Sequence, residues 1–194
     1  MEAMAADVAA LLSALEAPPA HVVGLSLGGC VALTLALDHA ALVRSLTLVN
    51  TFARLTPAGP REALRMLARL GLLACAPMPA VAAHVARGLF PRPEQRELYL
   101  AAVASLAGNS RRTYVASLRG LVSFDVRRRL DEVRCPTLVV AGDRDTTVPL
   151  ASKRLLQQSI RGAELRVVGD SGHVTPYDQA ERFNALLLGF VDLH

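Results

Sequence analysis

The sequence predicts an α/β fold whose parallel sheet is interrupted by a helical insertion, and three observations support this prediction. Helical and strand-like segments alternate over residues 2–50, and the alternation returns over residues 136–191. The stretch 53–124 between them has helical patterns rich in Ala, Leu and Arg and no strand signal. Because helices that alternate with strands usually connect parallel strands, we expect an α/β core at 1–52 and 125–194, with 53–124 as a helical cap.

The first part of the core reads as helix, strand, helix and strand. An amphipathic helix is predicted over 2–16, where apolar side chains recur at helical spacing at Val8, Leu11, Leu12 and Leu15. Strand character at 21–25 is followed by an Ala- and Leu-rich helix that ends near residue 39, and then by a strand at 44–50. We expect the two strands to pair in parallel, because a helix connects them.

The insertion and the second part of the core follow. Residues 53–124 are long for a connection between two strands, so we expect three or four helices there, separated by Pro57, Pro60, Pro77, Pro79, Pro91 and Pro93. A continuous apolar run at 136–141 predicts a buried strand. The pattern then predicts a helix at 151–159, a strand at 164–168 and a last helix at 179–191.

The composition excludes several classes of protein. The 194 residues lack an apolar run long enough to cross a membrane, and no basic leader precedes an apolar segment, so we expect a cytoplasmic protein without a membrane partner. Three cysteines and five histidines show no disulfide framework or metal-ligand spacing, which predicts no metal and no cofactor. The net charge of +4 comes from scattered arginines and aromatic residues make up 4% of the chain, so we expect no nucleic-acid binding.

The segment Gly24-Leu25-Ser26-Leu27-Gly28-Gly29 is the most informative motif of the chain. A G-x-S-x-G pattern between a strand and a helix is typical of the turn that presents a nucleophilic serine. A serine hydroxyl is a weak nucleophile, and a sharp turn exposes it to a base. We expect Gly24 and Gly28 to be required because larger side chains would crowd so tight a turn. A structural serine in a chance glycine turn is the alternative interpretation.

Candidates for the base and the acid follow two later strands. Asp143 and Asp145 come just after the predicted strand that ends at residue 141, and His173 comes after the strand at 164–168. Loops at the carboxyl ends of parallel strands lie over the same edge of the sheet, so we predict His173 as the general base. A surface loop histidine is the alternative, and the spacing leaves open whether Asp143 or Asp145 is the acid.

With these motifs the chain resembles the α/β-hydrolase superfamily, in its cap-bearing branch of esterases, lactonases, haloperoxidase-like enzymes and C–C bond hydrolases. The resemblance rests on the serine motif, the stretch 131–149 and the segment Ser171-Gly172-His173 with the helix after it. It implies helices on both faces of the sheet. The family's acid lies in a Gly-x-x-Asp pattern with a proline a few residues later, which Gly142, Asp145 and Pro149 match, so the resemblance implies Asp145 as the acid.

The resemblance also implies a reaction. Ser26 would attack a carboxylic ester or lactone, His173 would move the proton, and Asp145 would hold the imidazole in the useful tautomer. The backbone N–H of Leu27 would donate to the oxyanion. Enol-lactonases and simple carboxylesterases are the nearest groups. Acyl transfer or haloperoxidase-type chemistry on the same residues is an alternative.

Family members normally carry further strands and a helix before the segment that begins here, including the loop that supplies a second oxyanion amide. We therefore expect a partial fold that lacks the N-terminal strands, and losing one oxyanion donor costs about a hundred- to a thousandfold in rate. We expect 21–25 to be an exposed edge strand and a site of self-association. A catalytically impaired fragment or a non-catalytic interaction protein is the alternative function.

Several other side chains have structural interpretations. Tyr99, Tyr114 and Phe124 are expected in the core of the cap, and Cys30 is expected to be a buried small hydrophobe rather than a nucleophile. The apolar, aromatic-poor cap predicts a substrate with modest hydrophobic character.

Overall fold

The computed structural model describes residues 1–56 and 59–194, so Pro57, one of the predicted helix separators, and Ala58 lie outside the described residues. The chain divides into two compact units, Met1–Thr56 with Leu121–His194, and Pro57–Gly120. In chain order the helices and strands are α1 Glu2–Ala14, β1 Ala20–Leu25, α2 Leu27–Asp38, β2 Val43–Val49, α3 Pro60–Cys75, α4 Met78–Leu89, α5 Arg96–Ala107, α6 Arg111–Ser123, β3 Thr137–Gly142, α7 Leu150–Ser159, β4 Glu164–Val168, α8 Thr175–Asp178 and α9 Ala180–Val191.

The first unit contains a four-stranded parallel sheet in the order β1-β2-β3-β4, which confirms the predicted α/β fold. Leu25 pairs with Val49, Val49 pairs with Val140, and Gly142 pairs with Val168. The carboxyl ends of all four strands therefore lie at one edge of the sheet. The segments that follow these ends are those in which the sequence places its candidate residues.

Helices cover both faces of this sheet. One apolar cluster joins alternate strand residues, such as Leu48 and Val139, to α1, α2 and α7. A second cluster joins Leu138, Val140 and Val168 to Phe183 and Phe190 of α9. Successive residues of β3 thus enter different clusters, because side chains alternate between the faces of a strand. All six residues of β3 are buried, as its continuous apolar run predicts.

The first helix differs from its prediction. Leu11 and Leu15 are 58% and 66% exposed, whereas Ala5 and Ala9 are buried. Of the four apolar residues at helical spacing, Val8 and Leu12 pack against the core, whereas Leu11 and Leu15 do not. Small alanine side chains allow the backbone of α1 to lie close to its neighbours, which leaves the larger side chains at the margin of the contact. The short helix α8, which begins at Thr175-Pro176, was not predicted.

The described residues of 53–124 form four α-helices, α3 to α6, where three or four were expected, and the second unit contains α3 to α5 and residues 111–120 of α6. Val81, Ala82 and Ala86 of α4 are buried. Along α3, Leu64, Leu67 and Leu70 are each more than half exposed. In the part of the chain that the structure describes, no helix combines the length and the apolar character needed to cross a membrane.

Candidate active site

Ser26 occupies a sharp turn between the end of β1 and the start of α2. Its φ angle is 53°, in the left-handed region that non-glycine residues seldom adopt. Two hydrogen bonds hold this backbone: Ser26 N–H donates to Val49 O at 2.9 Å, and Thr51 Oγ1 donates to Ser26 O at 2.7 Å. Strained backbone that neighbouring groups hold in place is often found at functional sites.

Of the two glycines that the sequence predicts to be required around Ser26, the structure confirms Gly24 but not Gly28, and it adds Gly29. A Cβ atom on Gly24 would lie 2.5 Å from Gly28 O, and one on Gly29 would lie 2.5 Å from Thr51 Cβ. A Cβ atom on Gly28 would meet no atom within 4 Å. The expectation that crowding requires Gly28 was therefore wrong. The crowded positions are Gly24, which faces the backbone of Gly28 and Gly29, and Gly29, which faces the Thr51 side chain just after β2.

The structure brings Ser26, His173 and Asp145 together from three separate segments. His173 Nε2 lies 2.9 Å from Ser26 Oγ, and His173 Nδ1 lies 3.1 Å from both carboxylate oxygens of Asp145. The His173 side chain is 5% exposed and that of Asp145 is fully buried. With Nδ1 protonated, the imidazole donates to Asp145 and accepts the hydroxyl proton of Ser26 at Nε2.

The two aspartates that the spacing alone did not separate have different partners. Asp145 contacts His173, whereas Asp143 Oδ1 accepts a hydrogen bond from Ser171 N–H at 3.1 Å and so supports the backbone of the histidine loop. Burial opposes ionisation of Asp145, but hydrogen bonds and positive charge from His173 and Lys153 outweigh it and hold the pKa of this carboxyl below its usual range. Asp145 is therefore an ionised acceptor at neutral pH.

Asn50, which the sequence analysis did not single out, ties the acid and histidine loops to the end of β2. Its Oδ1 accepts from Gly142 N–H at 2.9 Å, and its Nδ2 donates to His173 O at 2.9 Å and to Thr175 Oγ1 at 2.8 Å. Asn50 is fully buried and has a φ angle of 44°. An asparagine directly after a buried strand, at the sheet edge that carries the other candidates, is the signal that would have indicated it.

The histidine loop has a second support in α8. Asp178 accepts hydrogen bonds from Gly172 N–H at 2.6 Å and from Ser171 Oγ at 2.9 Å. Gly142 leaves room for this loop, because a Cβ atom there would run into Gly172 O and lie 2.6 Å from Ser171 O. The position of His173 thus depends on contacts with two neighbouring loops.

Lys153 on α7 was not predicted as a site residue, but in the structure it contacts Asp145. Its Nζ donates to Asp145 Oδ2 at 2.6 Å and to Val148 O at 2.8 Å. Both Lys153 and Asp145 side chains are fully buried. Burial lowers the pKa of Lys153, and the adjacent Asp145 opposes that shift.

The structure also places the predicted oxyanion donor Leu27 and the thiol of Cys30. Leu27 is the first residue of α2, where N–H groups have no acceptor within the helix and can bind a developing negative charge. Cys30 is buried and burial raises the pKa of its thiol to about 12, so it remains a neutral thiol at physiological pH. Among the described residues, no cluster of three or more His, Cys, Asp or Glu side chains is arranged to hold a metal ion.

The three aromatic residues expected in the cap core have different environments. Phe124 is buried in an apolar cluster of the first unit, so its assignment to the cap core was wrong. Tyr114 lies in the second unit, where the guanidinium carbon of Arg69 is 5.0 Å from the ring centroid. Tyr99 lies on α5 and is half-buried.

Comparison with known proteins identifies the class to which this fold and site belong. The model of the alpha/beta hydrolase family matches residues 1–186, and the chain belongs to that family. It is 30% identical over 188 residues to 3-oxoadipate enol-lactonase 1 of Acinetobacter baylyi, an alignment that covers 95% of this chain and 68% of that protein. The resemblance drawn from the motifs is confirmed, and the chain belongs to a family of hydrolytic enzymes.

Two further similarities extend this assignment. The chain is 32% identical over 197 residues to a pimeloyl-acyl-carrier-protein methyl ester esterase of Neisseria meningitidis, covering 99% of this chain and 75% of that protein. A crystal structure of a hydrolase from Pseudomonas aeruginosa has a TM-score of 0.84 and 31% identity, covering 96% of this chain and 70% of that one.

Proposed function

We propose that this protein is a serine hydrolase that cleaves carboxylic esters or lactones through an acyl-enzyme. The observation that carries the proposal is the continuous contact from Ser26 Oγ through the imidazole of His173 to the buried carboxylate of Asp145. A nucleophile, a base and an orienting acid in this geometry are the components of acyl transfer to serine. Similarity to an enol-lactonase and to a methyl ester esterase supports the choice of substrate class.

In the first half of the proposed reaction, Ser26 Oγ attacks the carbonyl carbon while its proton passes to His173 Nε2. The carbonyl oxygen becomes an oxyanion, to which the N–H of Leu27 donates. Collapse of the tetrahedral intermediate breaks the bond to the leaving oxygen, which takes the proton from His173. Asp145 stabilises the imidazolium during these steps and stays ionised itself.

In the second half, water attacks the acyl-enzyme. His173 Nε2 accepts a proton from the water, a second oxyanion forms at the same carbonyl, and the proton returns to Ser26 Oγ as the acid leaves. With a lactone, the leaving alcohol and the acid are parts of one molecule. In each half His173 first accepts a proton and then donates it. The proton leaves Ser26 in the first half, and a proton returns to Ser26 in the second.

We further propose that the helical segment 53–124 acts as a cap that selects the substrate. The exposed leucines of α3 supply apolar surface that its own unit does not cover. Replacing Leu64 and Leu67 by Gln is expected to lower kcat/KM for esters of longer acids while leaving acetyl esters unchanged. Equal changes for both acyl lengths would contradict a selective role.

The catalytic proposal is tested by labelling with a fluorophosphonate probe. We expect labelling of one serine, its loss in Ser26→Ala, and a sharp decrease in His173→Gln, with parallel losses of hydrolysis of a p-nitrophenyl ester. Ser13→Ala removes an exposed serine of α1 and is expected to change neither measurement. A folded wild-type protein that neither reacts nor turns over any ester or lactone would favour the non-catalytic alternative. Transfer of the acyl group to added alcohol in preference to water would favour an acyltransferase.

We also propose that the chain self-associates through the outer edge of β1. In the described sheet β1 is a terminal strand, and Val23 is 45% exposed. Two such edges can pair about a twofold axis, because each presents the same row of backbone N–H and C=O groups. We expect concentration-dependent dimerisation in sedimentation that Val23→Lys weakens, and a monomer at all concentrations would exclude it.

A further inference from the structure

Lys153 is the only lysine among the 21 basic residues of the sequence, and its side chain is fully buried. The other twenty are arginines. A guanidinium has five N–H donors and a rigid planar shape, whereas an ammonium is compact and has three donors. At Lys153 two acceptors, Asp145 Oδ2 and Val148 O, lie within 2.8 Å of Nζ. The site therefore suits an ammonium, and an arginine would bring more donors than these acceptors satisfy.

Asp145 has sufficient hydrogen-bond donors without Lys153. Its Oδ1 accepts from Thr147 N–H at 2.8 Å and from Val148 N–H at 3.1 Å, and the imidazole of His173 reaches both oxygens. Lys153 adds a positive charge beside the other carboxylate oxygen of Asp145, Oδ2. Burying an ammonium group costs desolvation free energy. Because Asp145 already has enough hydrogen-bond donors, we look for an effect of the Lys153 charge itself.

We propose that Lys153 is a positioning residue whose charge offsets that of Asp145, so that His173 remains unprotonated and can accept the Ser26 proton at lower pH. This inference rests on the function proposed above for Ser26, His173 and Asp145. An isolated carboxylate beside the imidazole favours the imidazolium form, and a cation bound to the same carboxylate opposes that effect. Lys153 therefore extends the range in which the base is active toward acid pH, while making the base weaker.

The other charged groups near His173 make this counter-charge significant. Asp143 and Asp178 accept hydrogen bonds from backbone N–H groups of Ser171 and Gly172, so two further carboxylates lie beside the segment that carries His173. Arg144 and Asp170 form an ion pair with each other at the exposed side of these loops. Among the described residues, Lys153 is the cation in contact with the acid that faces His173.

The test is an NMR titration of the histidine side chains, which reports on His173 directly and does not depend on turnover. The His173→Gln variant assigns the resonance by its loss. In Lys153→Met and in Lys153→Gln we expect the midpoint of the His173 titration to rise by roughly one to two pH units, as a unit charge at an effective dielectric constant near 20 predicts. The acidic limb of kcat/KM for an ester is expected to move by the same amount.

Arg154→Met is the matched control, since it removes a positive charge from the next residue of α7, where the side chain is exposed and solvent screens it. We expect its titration midpoint to match that of the wild type. Lys153→Gln keeps an amide that can donate hydrogen bonds, so it decides the question if Lys153→Met does not fold.

The possible results separate the two proposals. An unchanged His173 midpoint in a folded Lys153→Gln variant would overturn the role of Lys153. A lower plateau of kcat/KM with an unmoved acidic limb would assign it a purely structural role and overturn the inference as well. If the midpoint shifts but Ser26-dependent hydrolysis is absent from the wild type, the proposed function fails, while the electrostatic effect of Lys153 on His173 stands.

Discussion

Asn50 and Asp145, in the loops at the carboxyl end of the sheet, are held differently from Asn109 and Ser110 in the helical unit. In the loops, Asn50 and Asp145 are buried and each forms several hydrogen bonds to neighbouring segments. In the helical unit, Asn109 and Ser110 bond to their own turn and are exposed. Buried bonds between segments fix relative positions, whereas exposed bonds within one turn contribute little. The buried hydrogen bonds that hold Asp145 and the loop of His173 in place therefore lie within the first unit.

The largest expected effect in this comparison concerns the two aspartates of one loop. Asp145→Asn is expected to lower kcat/KM for an ester by about ten thousandfold, because an amide cannot hold the imidazole in the same tautomer. Asp143→Asn keeps an oxygen acceptor for Ser171 N–H and is expected to cost less than about tenfold. Steady-state kinetics with one substrate distinguishes them. If the two losses were equal, the assignment of Asp145 as the orienting acid would fail.

The next effect compares two asparagines, one in each region. Asn50→Ala leaves Gly142 N–H and His173 O without their Asn50 partner, so we expect a loss of about 2 to 4 kcal/mol in the free energy of unfolding. Asn109→Ala removes exposed bonds to carbonyls of its own helix and should cost less than about 1 kcal/mol. Urea unfolding measures both. Similar losses for the two variants would show that the contrast between the regions is not energetic.

The smallest effect compares two glycines. Gly142→Ala brings a methyl group against Gly172 O, and we expect a loss of about 1 to 3 kcal/mol with a lower rate of Ser26 labelling, because the histidine loop must move. Gly71→Ala, within α3, meets open space and gains helix propensity, so it should stabilise its helix by up to about 1 kcal/mol. Thermal unfolding and labelling rates are the measurements, and a neutral Gly142→Ala would refute the close approach of the two loops.

Several features of the fold could be predicted because they depend on local pattern. The continuous apolar run of β3 predicted a strand buried on both faces, and the alternation of helices and strands predicted parallel pairing. The spacing of apolar residues did not show which of them α1 buries. In the structure Ala5 and Ala9 are buried, whereas the larger Leu11 and Leu15 are exposed. Periodicity shows which residues share a face, but the packing distance decides which of them that face buries.

For the candidate site, residue types at short spacing were enough to predict the serine turn and the order of its partners, and the family motif was enough to predict Asp145. These depend on residue types at short spacing, which a pattern retains. The folded chain was needed to show that Asn50 and Lys153 contact the acid and histidine loops, and that Gly29 rather than Gly28 joins Gly24 in allowing the close approaches at the turn. Their roles depend on contacts between segments far apart in the chain, because a buried donor or charge acquires its function from the groups folded against it.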